Sequence, residues 1–182
     1  MSPDQRLINL RADESAGQSF DVLPFWGHRP PPDGGVGTGC LSQWYPAPFT
    51  VDGVAYATAE HWMMAEKARL FSDAEGLAAV LATPEPMRAK VAGRRVRGFD
   101  ERVWRSARYD IVVAGNMAKF GQHAALRGFL LSTRDKVLVE ASPYDRIWGI
   151  GMAGDDPDVR RPSAWRGLNL LGFALMDVRD RL

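Results

Sequence analysis

The segment after Asp100 constrains the fold most. Asp100 is a helix-capping residue type, and "ERVWRSARYDIVVAGNMAKF" carries Trp104, Ile111, Ala114 and Phe120 in a helical pattern, which predicts one long helix from 101 to about 120. Helical signals dominate the rest of the chain. Thr58 is placed to cap a helix from Ala59 to about Phe71, and Ser72 to open "SDAEGLAAVLA", which ends before Thr83-Pro84. Pro84 suits the first turn of a short helix closed by Gly93. "QHAALRGFLLST" continues the helical pattern, and "AWRGLNLLGFALMDVRDRL" reads as a terminal helix entered from Ser163. Extended structure is sparse: "FTVDGVAY" places Asp52-Gly53 between β-prone runs as a tight hairpin, and "KVLVEA" (136 to 141) reads as a strand. The expected fold class is mainly α, an α+β chain with a few short strands, in one compact domain.

With 182 residues, 46% hydrophobic and 25% charged, the chain has the composition of a soluble globular protein with room for a pocket. A formal charge of +1 gives no overall field for gripping duplex DNA, so nucleic acid is expected only as a modified substrate. Residues 88 to 108 nevertheless carry eight Lys or Arg against Asp100 and Glu101; a solvated helix face and a phosphate site are equally good readings of that run. The single Cys40 cannot form an internal disulfide, and neither a membrane-length apolar run nor a signal-peptide pattern is present, so a cytoplasmic location is expected. His28, His61 and His123 are scattered and show no zinc signature; Asp155, Asp156 and Asp158 are the weaker alternative for a divalent site, and no metal or cofactor is expected. The Pro/Gly-rich "HRPPPDGGVGTG" (28 to 39) is long enough to be a flap over a site.

Helical rotation places the groups of "TAEHWMMAEKARLF" around one axis. Measured from Glu60, Lys67 falls about 20° to one side and Phe71 about 20° to the other, with Met64 about 40° and Met63 about 60° away. Acid and amine thus share the apolar face, while Glu66 and Arg69 lie opposite. Glu60 can simply answer the helix dipole, and Lys67 can snorkel; alternatively the two line a cavity. They are about 10.5 Å apart along the axis, a separation that suits two groups facing one small ligand from either end. In "ASPYDRIWGIGMAGDDPD", Trp148 is flanked by Gly149 and Gly151, which let a ligand approach the main chain, and the indole offers a face for a base; the competing reading is a core plug. Trp44, Trp62, Trp104 and Trp165 share that ambiguity. "RRVR" lies on a loop from which Arg94, Arg95 and Arg97 could converge on a phosphate.

The ordered blocks "FWG", "CLSQWYPAPFTVDGVAYATAEHWMMAEKARLF", "ERVWRSARYDIV", "AKFGQHAALRGFLLST", "LVEASPYDRIWGIG" and "RGLNLLGFALMDVRD" resemble the NADAR, or YbiA-like, N-glycosidase family over about 25 to 180. The resemblance divides the chain into a lead segment, 1 to 24, and a domain, 25 to 182. It implies a mainly helical fold and hydrolysis of N-glycosidic bonds without metal or organic cofactor. The implied substrates are small: phosphoribosylated aminopyrimidine intermediates of riboflavin biosynthesis, or ADP-ribose attached to guanine. By position, Glu60 is similar to the family's key acid, Lys67 to its helix lysine, and Trp104 and Trp148 to its pocket tryptophans; Asp145 also matches. Trp44, Gly149 and Gly151 complete the expected base and sugar contacts. Gln43 stands where some relatives have Asn, and Ile150 where some have an acid, which could move a carboxylate role onto Asp145.

Breaking a C1′–N bond builds positive charge on the sugar, so the chemistry asks for a carboxylate beneath C1′, a group to accommodate the departing base and a positioned nucleophile. Glu60 fits the first. Lys67 fits either a cation for phosphate or ribose oxygens or, with a lowered pKa, an amine that forms an imine with the opened sugar. The alternative function is an ADP-ribose or nucleotide-binding module without turnover.

Overall fold

The computed structural model describes residues 2–182. Seven α-helices and four short strands are present among the described residues, so the mainly helical class is confirmed. In chain order they are α1 (Pro3–Ser15), β1 (Val22–Phe25), β2 (Phe49–Val51), β3 (Val54–Tyr56), α2 (Ala59–Leu70), α3 (Ala74–Leu81), α4 (Pro86–Arg94), α5 (Glu101–Gln122), α6 (Ala124–Ser132), β4 (Val137–Glu140) and α7 (Leu170–Arg181). Two compact units divide the chain: residues up to Ser42 with Gly128–Leu182, and Gln43–Arg127.

In the Gln43–Arg127 unit, α2 packs against α3, α4 and α5. It buries Trp62, Met63, Met64, Ala65 and Ala68. Thr58 caps it as expected, its hydroxyl accepting from the His61 N–H. Asp52 and Gly53 turn the β2–β3 hairpin with φ of 49° and 77°, the left-handed pair that a two-residue turn needs. Asp100 caps α5, its carboxylate accepting from the Arg102 and Val103 N–H groups.

Two helix starts in this unit differ from expectation. Ser72 has φ 55° and lies outside α3; the cap is Asp73, whose carboxylate accepts from the Gly76 N–H. Helix α4 begins at Pro86, not Pro84, because Glu85 precedes a proline and is held extended at φ −90°, ψ 119°. Gly93 does not close α4 either. It lies inside the helix at a close approach, where an added Cβ would strike the Met64 side chain.

In the other unit, β1 and β4 pair in parallel, Val22 against Val137 through Phe25 against Glu140. Helix α7 covers β4 and buries Leu171, Phe173, Leu175 and Val178, while α1 lies on α7 with Arg6 bonded to Asp177 at 2.6 Å. The terminal helix does not run from Ser163. Pro162–Ala164 make one 3₁₀ turn, and α7 starts after Asn169, which sits at φ 54°. Its amide accepts from the Glu140 N–H and donates to the Leu138 carbonyl, extending the edge of β4 like a short strand. The β4 strand lies inside the expected range.

Candidate functional site

Glu60 stands in the first turn of α2 and is 3% exposed. Its backbone N–H donates to the Gln43 carbonyl at 2.9 Å. The Gln43 amide donates to Asn116 Oδ1 at 3.2 Å, and the Asn116 amide donates to the Val112 carbonyl one turn back on α5. His61 closes the other side of the turn. Its Nδ1 lies 2.8 Å from the Thr58 hydroxyl and its Nε2 2.9 Å from the Thr83 carbonyl. With a carbonyl at Nε2, the proton belongs there and Nδ1 accepts from Thr58. Burial pushes the His61 pKa down, partly opposed by the Thr83 carbonyl, so the ring is held neutral. The start of α2 is thus anchored on both flanks of the buried acid.

At the other end of α2, Lys67 is half-buried among aromatic rings. Its Nζ lies 4.1 Å from the Phe99 centroid and 5.5 Å from that of Trp104. Phe99 in turn meets Phe71 edge to face, 5.4 Å between centroids. Burial lowers the Lys67 pKa; Glu101 pulls it up and Arg94 pushes it down. Trp104 is buried, and Trp44 is half-buried with the Lys90 ammonium 5.6 Å from its ring.

The structure separates the arginines of "RRVR". Arg94 is the last residue of α4 and acts electrostatically on Lys67. Arg95 and Arg97 line an open cleft of about 420 Å³ with Asp73, Glu75 and Arg88. Arg97 is bound to Asp73: its backbone N–H donates to Oδ2 at 2.9 Å, and Nε and Nη2 donate to Oδ1 at 3.2 and 2.9 Å. Those bonds, together with one from the Gly76 N–H, hold Asp73 down at about 2.

Asp145, Trp148, Gly149 and Gly151 belong to the other unit. Asp145 Oδ1 accepts from the Ile147 and Trp148 N–H groups, both at 2.8 Å, and so folds the loop on itself. The carbonyls of Ile147, Trp148 and Gly149 accept from the N–H groups of Leu170, Leu171 and Asn169, which the start of α7 would otherwise leave unsatisfied. Gly149 is required by the chain itself: an added Cβ would lie 2.8 Å from the Glu140 carbonyl and 3.0 Å from that of Asp145. Ile150 is fully buried and the Trp148 ring half-buried. Trp62 and Trp165 fill cores, their indole N–H groups donating to the carbonyls of Ile111 and Val159.

Three residues escape the sequence reading. Asn116 and Lys119 of α5 are fully buried, Lys119 with its Nζ 5.8 Å from the Tyr45 ring and 5.0 Å from that of Phe120. At 100° per residue Lys119 falls about 60° and Asn116 about 120° from Trp104, on the buried side of α5. Phe99 carries no periodic signal, because it lies between two helices.

The NADAR domain model matches residues 24–182. An N-glycosidase of Acanthamoeba polyphaga mimivirus is 40% identical over 150 residues, covering 80% of this chain and 88% of that protein. The chain belongs to the NADAR family. The N-glycosidase YbiA of Escherichia coli (strain K12) is 33% identical over 135 residues, 74% of this chain and 76% of that one. The NMR structure of the E. coli protein YbiA superposes with a TM-score of 0.70 at 28% identity, over 94% of this chain and 91% of that one. No helix among the described residues is long and apolar enough to cross a membrane.

Proposed function

We propose that this NADAR protein hydrolyses the C1′–N bond of a small ribosylated base, with Glu60 and Lys67 as its catalytic residues. The enzyme class rests on the relatives: the chain is a hydrolase acting on N-glycosyl bonds. The observation that carries the residue assignment is that one helix holds a carboxylate buried in its anchored first turn and, two turns on, a lysine whose burial lowers its pKa.

Glu60 answers the positive charge that grows on the ring as the base departs. The Lys67 amine attacks C1′, the base leaves with a proton, the ring oxygen takes a proton as the sugar opens, and an imine results. Water then hydrolyses the imine, returning the free amine and the released sugar. Arg94 and Arg95 are the candidate phosphate contacts and Trp44 and Trp104 the base and sugar contacts, while in the other unit Asp145 is a carboxylate that orders the Trp148 loop. Two substrate classes are proposed: phosphoribosylated aminopyrimidines and ADP-ribose attached to guanine. A release assay that offers both decides between them. Ribose 5-phosphate or ADP-ribose set free supports the reading, whereas saturable binding without release makes the chain a nucleotide-binding module.

A further inference from the structure

Arg97 is a candidate phosphate ligand by sequence, yet its guanidinium, its backbone N–H and a buried carboxylate are all engaged with one another. Asp73 receives three bonds from Arg97 while also capping α3 through the Gly76 N–H at 3.1 Å. Glu75 adds a second acid 3.3 Å from the same guanidinium. The loop between α4 and α5 is therefore pinned at Arg97. Two residues later comes Phe99, which is 43% exposed although its ring face covers the Lys67 ammonium at 4.1 Å.

We propose that the Asp73–Arg97 ion pair fixes Phe99 over Lys67, making Arg97 and Phe99 positioning residues for that lysine. The proposal rests on the reading of Lys67 as a catalytic amine. Trp104 lies 5.5 Å from the same Nζ and Phe71 backs the Phe99 ring edge to face, whereas a lysine without such contacts samples many rotamers. The charged groups acting on it are Glu101 from α5 and Arg94 from α4, with Glu66 and Arg69 paired to each other on α2 itself.

The test uses two readouts on the full chain. By NMR, the Lys67 ε-methylene, assigned by its loss in Lys67→Arg, should lie upfield from the Phe99 ring current. It should move back in Phe99→Leu, stay in Phe99→Tyr, and move back in Arg97→Gln and in Asp73→Asn, which keeps a good cap but loses the ion pair. On whichever of the two ribosylated bases the wild type cleaves, kcat should fall by roughly 10-fold in Phe99→Leu and Arg97→Gln with KM little changed, as the released amine samples other rotamers, and Phe99→Tyr should restore it. An unmoved resonance in Arg97→Gln overturns the clamp; a moved resonance with unaltered kcat overturns its part in turnover. Full activity in Lys67→Arg would overturn the reading of the lysine, and the catalytic half of this proposal with it, while the resonances still decide the clamp.

Discussion

Glu60 sits in the first turn of α2 and is removed from water, which strengthens the effect of a charge on its surroundings. Glu60→Gln keeps the shape and the helix while removing the charge. Its kcat should fall at least ~100-fold with an unchanged circular dichroism spectrum. Lys67 gives a chemical prediction. Because burial lowers its pKa below 10.5, the neutral amine is present at lower pH than in an ordinary lysine. Borohydride added during turnover should reduce the imine to a secondary amine, adding the sugar's mass to the peptide containing Lys67, and the yield should rise with pH through that lowered pKa. Lys67→Arg, which keeps the charge but cannot form the imine, should be inactive; failure to trap an adduct together with an active Lys67→Arg would leave Lys67 as a binding residue.

Single elements carry two stability predictions. Asp73 has its pKa lowered to about 2 from an ordinary 3.8, so its contribution to stability is complete above about pH 4 and lost as pH falls toward 2. Acid unfolding of Arg97→Gln should accordingly show a weaker pH dependence in that window than wild type; identical slopes in urea titrations would contradict the assignment. In the Trp148 loop, Gly149→Ala should cost about 1–3 kcal/mol by denaturant unfolding, since the new methyl meets two backbone carbonyls that cannot swing aside. Element boundaries are legible where one residue decides them, as with Thr58, Asp100 and the Asp52-Gly53 turn. They are not where the decision is tertiary. Asp73 displaces Ser72 as a cap because Arg97 also draws on it, and Asn169 starts α7 because its side chain bonds to β4, about thirty residues earlier in the chain. Strand β1 is invisible for the same reason: it contains Pro24, and its partner lies beyond α6.

For the molecule as a whole, the family resemblance is legible because six separated blocks recur in order, and the family model covers residues 24–182. The α2 acid and lysine are legible because helical rotation shows polar groups on an apolar face. The rings around Lys67 and the Gln43–Asn116 bond are not, since they join residues brought together only by packing. Cleavage of a C1′–N bond by Glu60 and Lys67 of α2 is the proposed reaction. Sugar release from a phosphoribosylated aminopyrimidine and from ADP-ribosylated guanine, with wild type, Glu60→Gln and Lys67→Arg side by side, tests that assignment. Wild type should release sugar from at least one substrate, Glu60→Gln should be at least ~100-fold slower, and Lys67→Arg should release none. Release by both variants at the wild-type rate, or by none of the three proteins despite saturable binding, would contradict it.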